Sequence, residues 1–181
     1  MSSLLVNKAK VGGHDAARVS SLILGVGSPL RGDDALGILA VQRLRAHPHL
    51  PPGVDVIDGG TDGLGLVPVI EAYERVIIVD AVEMGLPAGT IRRLSWDEVR
   101  LIHQEGVLSL HQSGLADALL LAQALHVLPP ELVIYGVQPH NTGWDEPVSE
   151  SVERALPELI ASLIDEVRSK CHDGKEEDSD Y

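Results

Sequence analysis

The chain has 181 residues, 44% of them hydrophobic and 23% charged. That composition fits one globular domain, long enough to bury about 70% of its unfolded surface without disulfide or metal staples. Its formal net charge of -13 excludes nucleic acid as the main partner, because phosphate binding needs clustered Lys and Arg.

Residues 1–19 carry no apolar run and read as a flexible lead-in rather than a signal peptide. Strand one is expected over 21–26. A helix is expected from Asp33 to about Arg45, where Gly37, Ala40, Val41 and Leu44 recur at helical spacing. The prolines and glycine of 47–53 make a loop. Strand two runs from Val54 to Ile57 and ends in Asp58-Gly59-Gly60-Thr61. A helix is expected over 64–73. Strand three is the apolar run 75–79, ending in Asp80, and such runs suit strands buried on both faces.

A loop at 85–89 leads to a further strand at 90–94 and a short helix at 96–104. A helix over 112–126 carries Leu115, Ala118, Leu119, Ala122 and Leu125 on one face, and the last strand is expected at 132–137. The final helix runs from Ser149 to about Lys170, and Pro157 is expected to kink or restart it. Residues 171–181 are expected to be an acidic, disordered tail, leaving one expected α/β domain over 20–170. Phenylalanine is absent, so Leu, Ile, Val and Ala must build the core. Alternating strands and helices imply a three-layer α/β/α sandwich around a mostly parallel sheet of about five strands. Sites in such sheets form beyond the carboxyl ends of the strands.

The chemistry is expected at that edge. The turn Gly25-Val26-Gly27-Ser28-Pro29-Leu30-Arg31-Gly32-Asp33-Asp34 stands where a phosphate loop would stand, yet it ends in two carboxylates. Negative charge there repels phosphate and attracts a cation. No Walker lysine, G-x-G-x-x-G, H-E-x-x-H, G-x-S-x-G or cysteine pair is present. Asp34, Asp58 and Asp80 follow three successive strands, so a parallel sheet gathers them at one edge. His111, just before a helix, joins them. Asp34, Asp80 and His111 supply two oxygens and one imidazole nitrogen, a set suited to nickel or zinc with positions left open. By residue type Asp33 reads as the helix N-cap, and Asp34 is expected to be held as carboxylate by the helix dipole. Asp58 before two glycines also fits an ordinary turn, and His111 a loop or cap. His14, His47, His49, His126, His140 and His172 read as loop or surface residues, and Trp144 as a loop packing residue with substrate contact as the lesser reading.

Five ordered stretches carry a resemblance. They are 24–27 running into Asp33-Asp34-x-x-Gly37, Asp58-Gly59-Gly60-Thr61, Ile78-Val79-Asp80-Ala81, His111-Gln112-x-Gly114-Leu115-Ala116-Asp117, and Gly136-Val137-Gln138-Pro139 ahead of Ala155-Leu156-Pro157. The chain resembles the nickel-iron hydrogenase maturation endopeptidases over roughly residues 20–168. Ser28 stands where many members have asparagine, and Ala35 replaces a common glycine.

The resemblance implies an α/β/α sandwich that removes a C-terminal extension from a hydrogenase large-subunit precursor after nickel insertion. It places the metal contacts on Asp34, Asp80 and His111, and the shaping of the substrate cleft on Gly59, Gly60 and Thr61 with Asp33 and Asp58. Nickel is expected to arrive with the substrate, and other divalent ions such as zinc or cadmium fit the same donors. The expected partner is the precursor, the expected state a monomer, and the expected setting the cytoplasm, away from membranes. Two other readings use the same residues: a nickel-delivery protein that cuts nothing, and a small-substrate hydrolase on the same scaffold.

Overall fold

A computed structural model describes residues 21–104 and 114–169. The expected lead-in and tail, Cys171, His111 and the start of the 112–126 helix lie outside the described residues.

Five strands form one sheet: β1 (Ser21–Val26), β2 (Val54–Gly60), β3 (Arg75–Ala81), β4 (Ile91–Ser95) and β5 (Glu131–Val137). Their order is β2-β1-β3-β5-β4. The first four in that order are mutually parallel, and β4 runs antiparallel to β5. The reversal of β4 follows from its connection. Residues 82–90 contain no helix that would carry the chain back across the sheet, so β4 starts at the edge where β3 ends.

The helices are α1 (Leu36–Arg45), α2 (Val67–Glu71), α3 (Trp96–Gln104), α4 (Leu115–Ala124) and α5 (Glu150–Ser169). Alternation along the central strands divides the core in two. Leu22, Leu24, Val26, Val76 and Ile78 pack with residues of α2, α3 and α4, whereas Ile23, Ile77 and Val79 pack with α1 and α5. Every residue from 21 to 26 and from 75 to 80 is buried. The sheet is therefore sandwiched, as the apolar runs imply. Among the described residues no helix is long and apolar enough to cross a membrane.

Two elements differ from expectation. The second helix is shorter than 64–73, because residues 63–66 wind as a 310 turn before α2 begins, with Pro68 in its first turn. Pro157 does not break α5, which runs unbroken through it. The proline removes a hydrogen bond to the carbonyl of Glu153. Both residues lie on the exposed face, where the carbonyl is not buried without a partner in the core.

A partly buried ionic cluster, with Arg75 and Glu166 inside and Arg93 half exposed, fastens α5 to β3, β4 and β5. Glu166 meets Arg75 at 2.7 Å, Arg93 at 2.7 Å and the Tyr135 hydroxyl at 2.8 Å. Hydrogen bonding from Arg93 holds the Glu166 carboxyl below the usual carboxylate range against the opposing effect of burial, with Tyr135 and Arg75 helping. Burial and the bond to Glu166 push the Tyr135 phenol up to about 12.

Candidate functional site

The strand order places a topological switch at β1. The chain crosses from β1 to β2 on one side and then to β3 on the other. Ligand sites of open α/β sheets lie outside the carboxyl ends of the strands at such a point. Here the two strands that flank the switch each deliver a buried acid, Asp34 just after β1 and Asp80 within the end of β3.

Glycine lets the turn after β1 sit close to the strand ends. A side chain on Gly37 would strike the carbonyl oxygens of Val26 and Val79, and one on Gly25 would strike the Gly37 carbonyl. Helix α1 thus starts directly over β1 and β3, a distance that only glycine permits. Gly27 has φ of 124°, a conformation L side chains rarely adopt, and its amide donates to the Gly60 carbonyl at 2.9 Å. The turn is so pinned to the end of β2. Residues 32–35 wind as a 310 turn that packs against β3.

Asp34 is 2% exposed and Asp80 1%. The Asp34 Oδ2 accepts the Ser28 amide at 2.9 Å. Ser28 thus serves the site through its backbone, while its hydroxyl accepts from the Leu30 amide. The expectation that the helix dipole dominates Asp34 is corrected. Burial pushes its carboxyl up, and the Ser28 amide and the nearby Arg31 charge oppose this only in part. The preceding turn is 310 and the carboxyl is desolvated, so loss of water outweighs the weak field of the helix start. A desolvated carboxylate of this kind is suited to a cation.

Asp33 is not the cap of the first helix. It lies inside the 310 turn, and no side chain caps that turn or α1. Instead the fully buried carboxylate reaches across the edge. Its Oδ2 accepts the His140 amide at 2.7 Å, the Asn141 amide at 3.1 Å and the Ser149 hydroxyl at 2.9 Å, and its Oδ1 accepts the Ser149 amide at 2.6 Å. Ser149 directly precedes α5, so Asp33 ties the first loop of the sheet edge to the last. Four donors compensate the burial of its charge.

Asp58 is exposed, and its Oδ1 accepts the Gly60 amide at 3.0 Å. That is a turn built on its own side chain. Gly59, Gly60 and Thr61 complete the turn, with Gly60 at φ of 54°. These residues share the edge with Asp34 and Asp80, but the Asp58 carboxylate is engaged locally. Among the described residues no three His, Cys, Asp or Glu side chains form a metal-holding group. His111 lies outside them.

Sequence reading missed the roles of Gln138 and Ser149 and put packing ahead of exposure at Trp144. Gln138, at the end of β5, is buried. Its Oε1 accepts the Met84 and Leu86 amides, and its Nε2 donates to Glu83 and the Pro139 carbonyl. The motif Gly136-Val137-Gln138-Pro139 held the signal, but not the role. Ser149 was visible only as the start of a helix. Trp144 is not a packing residue: it is 67% exposed, and Arg31 stacks over its ring at 5.1 Å.

Fold and edge together define an α/β sandwich with two buried acids at its switch point. A family model described as hydrogenase maturation protease matches residues 38–166, a span that includes Asp58, Asp80 and His111 and starts just after Asp34. The chain is 37% identical over 149 residues to the hydrogenase expression/formation protein HupM of Azotobacter chroococcum mcd 1, covering 80% of this chain and 71% of that protein. It is 34% identical over 147 residues to the hydrogenase 2 maturation protease of Escherichia coli (strain K12), covering 78% and 89%. Its fold is similar to that of the hydrogenase maturating endopeptidase HybD from E. coli, with TM-score 0.72, 31% identity and coverage of 82% and 92%. The chain belongs to the hydrogenase maturation proteases, a family of peptidases.

Proposed function

We propose that this peptidase removes the C-terminal extension of a nickel-iron hydrogenase large-subunit precursor, and that it recognises the nickel already seated in that substrate. One observation carries the metal-recognition reading: two deeply buried carboxylates, Asp34 and Asp80, sit at the ends of the two strands that flank the switch point. His111 supplies the third ligand in this reading. Gly114, three residues after it, lies against Gly63 in the turn after β2.

The nickel is substrate cargo, and it acts as a licence. A loaded precursor offers Asp34, Asp80 and His111 a cation to hold, and an empty one does not. The difference in affinity between the two forms is what selects the loaded one. Binding positions the peptide bond for attack by water, polarised by the bound metal or by a carboxylate. Asp33 takes no part in the grip in this account, but it holds the 140–149 loop against the turn that bears Asp34.

The reading is tested with a nickel-loaded precursor and the variants Asp34→Ala, Asp80→Ala and His111→Ala. Each is expected to slow trimming by more than about a hundredfold while circular dichroism stays that of the parent. Trimming by all three near the parental rate would refute the ligand assignment. A protein that binds nickel stoichiometrically and trims nothing would instead favour the delivery reading.

A further inference from the structure

Beside the acids stands a ridge that the proteolytic reading leaves unused. Leu30 is 61% exposed and Trp144 67% exposed, with Arg31 lying over the Trp144 ring. The ridge is built rather than loose. The Asp145 amide donates to the Leu30 carbonyl at 3.0 Å, the Gly32 amide to the Glu146 carbonyl at 3.1 Å, and Arg31 Nε to the Thr142 carbonyl at 3.3 Å. Asp33 clamps the same two loops from beneath. Leu30 and Arg31 therefore belong to one rigid turn with Asp34, three residues further on.

The ridge sits in an acidic setting. In the described loops of this edge Arg31 is the one Lys or Arg, while Asp58, Asp62, Glu83, Asp145 and Glu146 are exposed, the last two in the loop bonded to its turn. Arg31 is already committed to the indole face and to Thr142. The surface left for a partner is thus apolar at Leu30 and Trp144 and anionic at Asp145 and Glu146. Its complement is a peptide with an apolar side chain flanked by cationic ones.

We infer that the Leu30–Trp144 ridge docks the C-terminal extension of the precursor, taking an apolar side chain on Trp144 and Leu30 and Lys or Arg side chains beside Asp145 and Glu146. This rests on the reading of the protein as the precursor protease. The metal-bearing part of the substrate would occupy the Asp34 end of the turn and the extension the ridge, so one rigid element sets both distances. A protruding indole beside an exposed leucine is the kind of anchor that carries a large share of binding energy at an interface.

Steady-state trimming of nickel-loaded precursor tests the ridge. Trp144→Ala is expected to raise KM about tenfold with kcat little changed, and Trp144→Phe to restore most of the loss. The double change Asp145→Asn and Glu146→Gln is expected to raise KM and flatten its dependence on salt. A KM for Trp144→Ala within about twofold of the parent overturns the inference. A second measurement needs neither nickel nor cleavage. In protein carrying Trp96→Phe, Trp144 is the remaining indole. A synthetic peptide of the extension, lacking tryptophan, should shift its fluorescence saturably. Absence of that shift overturns the docking surface even if the parent trims normally. Failure of the parent to trim any precursor, with the shift present, overturns the protease reading while the ridge stands.

Discussion

Adjacent aspartates at positions 33 and 34 do opposite work. Asp33 is fully buried with four donors on its carboxylate, so its charge is compensated and structural. Asp34 is nearly as buried but is raised above the usual range by desolvation, so it is held at a cost. Their asparagine variants should therefore differ in kind. Asp33→Asn puts an NH2 group against amides that need an acceptor and should cost about 3 kcal/mol in denaturant unfolding. Asp34→Asn can still accept from Ser28 and should leave stability within about 0.5 kcal/mol of the parent, or raise it, while trimming is lost. Equal destabilisation by both would contradict the division of roles. The sequence could not show this division. Asp33's partners lie 107, 108 and 116 residues away, and nothing local distinguishes such a tie from a helix cap. Asp34, Asp58 and Asp80 were legible because strand ends are readable from apolar runs.

At the scale of elements, the close approach of α1 to the sheet decides where the acids stand. Gly37→Ala places a methyl group against two backbone carbonyls that cannot yield cheaply. It should cost about 1–3 kcal/mol and impair trimming together with stability. The ionic cluster at the other end of the sheet gives the acid sensitivity of α5. Glu166 has a folded-state pKa below its unfolded value. Its contribution is full above the ordinary glutamate range, near pH 4.3, and is lost as pH falls through the depressed value. Glu166→Gln should therefore flatten the stability curve below about pH 4.5 and lower stability above it, as read by thermal unfolding across pH. Breaking the pair leaves Arg75 with Glu131 at 3.1 Å, so a loss of about 3 kcal/mol is expected for Glu166→Ala. Pro157 shows the limit of local rules. Its position on the exposed face of α5 made it tolerable, and facing is a tertiary fact.

For the whole molecule, the order of strands matters more than any one of them. Strand existence was readable from apolar runs, and parallel pairing from the intervening helices. The order β2-β1-β3-β5-β4 was not, because it depends on which way each crossover leaves the sheet. That order turns three aspartates at strand ends into two buried acids beside a switch point and one in an exposed turn. The net charge of -13 acts at the same scale: it steers cationic segments toward the molecule and is screened by salt. The central claim is that nickel in the substrate licenses the cut. Its most direct test is to incubate the full-length protein with equal amounts of nickel-loaded and nickel-free large-subunit precursor and to follow the precursor mass with time. The account predicts loss of the C-terminal extension from the loaded precursor alone, and trimming of both forms at the same rate would contradict it.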